Sequence, residues 1–196
     1  MRKSVNKFLF GVSVIALAGF LNTYRVQAQS PYELGTQTVS AGIGLGWSYS
    51  YYGSTTSFPA ISLSYDYNIY ELEDVGMISI GGTFGYKRIS YDYPASNYKA
   101  SWTTMVFGAR GALHVNIFDM ENLDTYGGLV LGIRSVRYKD TYYDQYTGSN
   151  PYSYGGAHVM LAGFVGARYF FNPNIAVYGE LGYGISILNL GVSFEL

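Results

Sequence analysis

The chain has few residues able to do chemistry: two histidines, no cysteine, and charged residues making up only 13% of its 196 positions. Without cysteine there is no disulfide, no thiolate metal site and no lipidated N-terminal Cys. His114 and His158 fall on separate predicted strands, toward opposite ends, so the spacing points away from a shared metal ion. His114 has no Ser two residues after it and reads as structural. His158 lies beside Ser153 and near the Asp140–Asp144 segment, a better position, but that spacing matches no nucleophile motif. The sequence therefore predicts no catalytic residue, no metal and no cofactor. Gly42-Ile43-Gly44-Leu45-Gly46-Trp47 superficially suggests a dinucleotide loop. Trp47 stands where the third Gly belongs and no helix follows, so alternate Gly within a strand is the better account.

Three arginines carry more information. Arg110, Arg134 and Arg168, with Asp66 and Glu180, share the small, polar face of their segments, which alternate with period two. That pattern is a strand with two unlike faces. Eight such strands are predicted, at about 37–51, 58–70, 75–89, 99–118, 125–139, 154–171, 174–184 and 187–196. In the first, Val39, Ala41, Ile43, Leu45, Trp47 and Tyr49 oppose Ser40, Gly42, Gly44, Gly46 and Ser48. Elsewhere Leu63, Phe107 and Leu131 take the bulky face, while Asp66, Arg110 and Arg134 take the other. The sixth strand is less regular; its register rests on placing Arg168 with His158, Met160 and Phe164.

Aromatic residues are 18% of the chain, including 22 Tyr. So many aromatics with so few charges fit a surface that meets lipid rather than water. The fold class expected is all-β, an eight-stranded antiparallel up-and-down transmembrane β-barrel in the outer membrane. The small face would line an interior only wide enough for side chains to fill. There Asp66, Arg110, Arg134, Arg168 and Glu180 are expected to form a mutually paired polar core, because a lone buried charge is very costly.

The N-terminus carries Arg2, Lys3 and Lys7, an apolar stretch from Phe8 to Leu21, and Val26-Gln27-Ala28 before Gln29. This predicts a secretory signal over 1–28, cleaved after Ala28, with the barrel domain over 29–196. Arg2, Lys3, Lys7 and Arg25 leave with the signal, so eight basic residues face thirteen acidic ones in the mature chain. Nucleic acid is accordingly excluded as a partner. Short turns at 71–74, 119–124 and 171–174 are assigned to the periplasm. The longer connections at 52–57, 90–98 and 140–154, and a short one at 185–188, are assigned to the outside.

Lys87, Arg88, Lys99, Arg137 and Lys139 fall at the outer strand ends, at the height of lipopolysaccharide phosphates, and are the expected contacts to outer-membrane lipids. Trp47, Tyr49, Tyr86 and Tyr183 are assigned to one aromatic girdle, and Tyr67, Tyr70, Tyr126, Tyr169 and Phe171 to the other. Two other barrel readings remain beside the structural one: a soluble lipocalin-like binding barrel with its apolar face inward, and a narrow pore.

The run Gly163-Phe164-Val165-Gly166-Ala167-Arg168-Tyr169-Phe170-Phe171, then Tyr178-Gly179-Glu180-Leu181-Gly182-Tyr183-Gly184 and the closing Leu190-Gly191-Val192-Ser193-Phe194, resembles the OmpA/OmpX-like family of small outer-membrane barrels. The likeness in architecture covers the whole mature chain. It implies a monomer delivered by the barrel-insertion machinery, with a structural or surface-contact role in the cell envelope. It also raises an enzymatic alternative, since some such barrels modify lipid A with a His and a Ser or acid. Family members usually end in an aromatic residue, whereas this chain ends in Leu196.

Overall fold

The computed structural model describes residues 33–46, 55–73, 75–92, 99–141 and 155–196, without the side chains of 55–57. The expected signal, Trp47, Tyr49, Ser153 and most of the expected outer loops lie outside the described residues. Nine hydrogen-bonded segments are present among the described residues: β1 (Gln37–Leu45), β2 (Thr55–Ser57), β3 (Ala60–Leu72), β4 (Gly76–Asp92), β5 (Lys99–Val115), β6 (Leu123–Asp140), β7 (Gly155–Asn172), β8 (Ile175–Gly182) and β9 (Leu188–Glu195). They make eight staves, because β2 and β3 pair in succession with the same strand, β4. Pro59 separates the two; it has no N–H to give to the ladder, so the stave breaks there.

Each stave pairs antiparallel with the next, β4 pairs with β5, and β1 pairs with β9, so the sheet closes on itself. At that seam Ser40 and Ser193 face each other, their hydroxyls 2.7 Å apart inside the barrel. Closure leaves no free edge around the middle of the molecule. Register slips in β3 between Asn68 and Tyr70, and in β7 between Phe170 and Asn172, sit beside the short connections. These bulges tighten the strand ends where the chain reverses.

Alternation is kept on every stave. Leu63 is 46% exposed, Phe107 57%, Leu131 60% and Leu161 68%, all on the outer face, whereas Arg110 is 4% and Arg168 2% exposed on the inner face. A sheet with its apolar side out and its charges in is the inverse of a water-soluble barrel, and the lipocalin-like arrangement is thereby excluded. The sixth stave, β7, has the expected register: Val159, Leu161, Val165 and Tyr169 are outside, with Phe164 and Arg168 buried inside.

The staves differ in length. β4 to β7 run 17 or 18 residues, while β8 and β9 have 8 each and β1 has 9. The short connection between β8 and β9 therefore turns well below the top of its neighbour β7. It also folds inward: Ile185 and Ser186 are buried, and Ile185 packs with Ala60, Val106 and Met160 across the barrel. Gly85 makes this possible, since a Cβ there would stand 2.7 Å from the Ile185 side chain.

Candidate functional site: the charged interior and the outer rim

The inward positions of β3, β5, β6, β7 and β8 bring Asp66, Arg110, Asp124, Arg168 and Glu180 into one cluster. Arg168 donates to Asp124 Oδ2 at 3.2 Å and, through its other terminal nitrogen, to Asp66 Oδ2. Arg110 donates from Nη2 to Glu180 Oε2 at 3.1 Å. Its Nε lies 2.9 Å from Asp66 Oδ1, an electrostatic contact without hydrogen-bond alignment, as neither atom has a hydrogen-bond partner. Asp66 is thus shared by both guanidiniums. Two aromatic rings complete the packing: the Arg168 guanidinium carbon is 4.5 Å from the Tyr126 ring centre and that of Arg110 is 4.1 Å from Phe164. A guanidinium over a ring keeps a charge partner on a face that carries no hydrogen-bond acceptor.

Asp124 has a second client. Both its oxygens lie within 3.0 Å of His114 Nδ1, and His114 Nε2 is 2.9 Å from Ser79 Oγ. Ser, His and Asp in this order match the contacts of a nucleophile, its base and the base's orienting acid. Chemistry there has no way in, because Ser79, His114 and Asp124 are all 2% exposed or less. The array ties β4, β5 and β6 together near the end where the chain makes its short turns. Sequence inspection near His114 cannot find it, since Ser79 comes from the preceding strand, 35 positions away. The sequence places Asp124 in a turn, whereas β6 begins at Leu123 and makes Asp124 its first inward residue.

Three residues depart from expectation. Arg134 does not join the acids; it donates to the Gly184 carbonyl and lies 5.8 Å from the Tyr183 ring, above the layer formed by Ile185. Lys87 is not presented to lipid. It shares the inward parity of Ser79 and Gly85, is buried, and donates from Nζ to the Gly46 carbonyl at 2.8 Å. Tyr126 is inside rather than in a girdle, since it shares the parity of Arg134; it is buried against Gly166, where a Cβ would stand 2.6 Å from the ring.

The other rim bases are exposed, with outward parity. Arg88 and Arg137 both pair with Thr103, from opposite sides, so they flank one strand in a single row. Lys139 pairs with Ser101 two residues along, and exposed Lys99 forms an ion pair with Asp92 at 3.3 Å. His158 is exposed and sits directly across from Arg134. Among the described residues no group of three or more His, Asp or Glu is arranged to hold a metal ion.

A closed antiparallel ring with an apolar exterior, a charged and internally paired interior, and bases at one rim defines a transmembrane β-barrel. No family model matches the sequence, and no curated protein matches it either. Among solved structures the chain is similar to the attachment invasion locus protein Ail of Yersinia pestis, crystallised in complex with the heparin analogue sucrose octasulfate, with 15% identity over 83% of this chain and 96% of that one at a TM-score of 0.48. It is also similar to the N-terminal β-barrel domain of Pseudomonas aeruginosa OprF (14% identity, 86% and 100% covered, TM-score 0.49) and to Neisserial surface protein A (13%, 82% and 94%, 0.47). Similarity at this level assigns neither ligand nor activity to this chain.

Proposed function

We propose that the chain is an integral protein of the Gram-negative outer membrane, exported by a leader cleaved after Ala28, inserted by the barrel-assembly machinery, and acting as a monomer through its outer surface rather than by turnover. The observation that carries this reading is the inversion of faces: apolar side chains cover the outside while ion pairs fill the inside. A filled interior leaves the outer end as the part able to meet other molecules, because its strands stand beyond the lipid-facing belt. Arg88, Arg137, Lys139 and Lys99 offer cationic groups to phosphates of lipopolysaccharide, Lys99 sharing its charge with Asp92. Catalysis at the Ser79–His114–Asp124 array is disfavoured by its burial.

In a Gram-negative host the protein should fractionate with the outer membrane, stay there in high salt without detergent, and migrate differently on a gel before and after boiling. Release by salt alone would refute the reading. In detergent, Arg88→Gln combined with Arg137→Gln should weaken lipopolysaccharide capture about thirtyfold, each surface base being worth about 1 kcal/mol. Unchanged capture would remove the rim as the contact.

A further inference from the structure

The outer mouth holds a cleft that the rim row does not use. Its space is about 510 Å³, and it is lined on the inner side by Lys87, Thr104, Arg134 and His158, with Ile185 as the floor. No acid is among its lining residues. The acids of the packed strands are engaged elsewhere: Glu180 pairs with Arg110, and Asp140, further along β6, accepts from the Tyr138 hydroxyl at 2.9 Å. Arg134 spends one N–H on the Gly184 carbonyl, and its buried Nε has no hydrogen-bond partner. Among the described residues such a guanidinium lacks a counter-charge, which is costly away from bulk water.

The same cleft has an apolar lip. Ladder pairing of β7 with β8 starts at Phe164, and the last backbone bond above it runs from Tyr183 N to Gly163 O. From Gly155 to Ala162, β7 has no strand on that side among the described residues. The wall is therefore notched there, and the cleft runs out sideways through the notch. At that exit stand Val159 and Leu161, 79% and 68% exposed, with Met160 and Tyr183 also lining the cleft. Cations inside and aliphatic side chains at a lateral exit match a molecule that is charged at one end and apolar at the other.

From this juxtaposition we infer that the notch between β7 and the β8–β9 turn binds an anionic amphiphile, its phosphate-class oxyanion beside Arg134, His158 and Lys87 and its chain lying over Val159 and Leu161. The site is distinct from the outward rim row and rests on the membrane-spanning reading. Arg134 and His158 are direct cross-strand neighbours, and Lys87 stands on the inward face two strands away, so the oxyanion meets bases from three staves. Charge-assisted bonds of this kind supply most of the affinity for the head. The lip adds apolar burial that a free oxyanion cannot exploit.

The test is titration of the full chain, folded in neutral alkyl-maltoside micelles, with dodecyl phosphate and with inorganic phosphate as probes. Boiling-dependent gel migration establishes for each variant that the barrel is intact, so failure of the barrel reading shows before any binding is measured. Saturable binding of dodecyl phosphate, weakened about tenfold or more by Arg134→Gln and less by the charge-keeping Arg134→Lys, is the expected result. Leu161→Ser should weaken dodecyl phosphate while leaving any effect of inorganic phosphate unchanged. Equal affinity in the parent protein and Arg134→Gln would overturn the site. Inorganic phosphate binding as tightly as dodecyl phosphate would overturn its assignment to an amphiphile.

Discussion

Arg168 occupies the position where the interior is most demanding. It is 2% exposed, touches two carboxylates on two strands, and lies over the Tyr126 ring. Removing one partner from a buried pair leaves the other charge uncompensated, whereas removing all of them together need not. Arg168→Met should therefore destabilise the barrel by about 3–5 kcal/mol, read as a shift in the urea midpoint of folding into lipid vesicles. Adding Asp66→Asn and Asp124→Asn to that variant should restore at least half of the loss. A single variant as stable as the parent would show that water reaches the cluster. His114 depends on the same carboxylate, so its placement follows from Asp124 rather than from any chemistry of its own.

At the scale of the strand, the informative quantity is parity. One register slip would exchange every lipid-facing residue for an interior one, which is why the two bulges lie at the strand ends and not in the belt. The outer face tolerates no charge near the bilayer centre, while the rim tolerates it well. Leu131→Arg should cost about 2–4 kcal/mol in the same vesicle assay, and Lys139→Leu should cost close to nothing. Equal costs would mean that Leu131 does not face hydrocarbon. Unequal strand length matters as much as parity. Because β8 and β9 stop early, their turn can drop Ile185 into the mouth, and the longer β7 is left to form the notch.

For the whole molecule, eight staves fix a narrow interior, and its contents close it. A space of about 50 Å³ beside Arg110, Glu180 and Met160 has room for a few waters at roughly 10–15 Å³ each. The protein reconstituted in planar bilayers should show no conductance steps; resolved openings of constant size would contradict a packed interior. The apolar layer of Ala60, Val106, Ile185 and Met160 separates the paired charges below from the cationic cleft above. Arg134 belongs to the upper compartment for that reason, although its parity is the same as that of Tyr126 in the lower one.

Much of this architecture was legible in the amino-acid order alone. Alternation with period two assigns each residue to one face, and bulky apolar residues such as Leu63, Phe107 and Leu131 on a chain poor in charge leave lipid as their natural environment. That local rule gave the strand number, the inward direction of Asp66, Arg110, Arg168 and Glu180, and the register of β7. Parity says which way a side chain points but not how far along the barrel it ends or what meets it from across the ring. Those depend on ring closure and on where each stave stops. Only the tertiary structure could seat Ser79 against His114, separate Arg134 from the acids, join Lys87 to the Gly46 carbonyl and open the notch beside Val159, because each is set by residues far apart in the chain and by the stagger of a closed sheet.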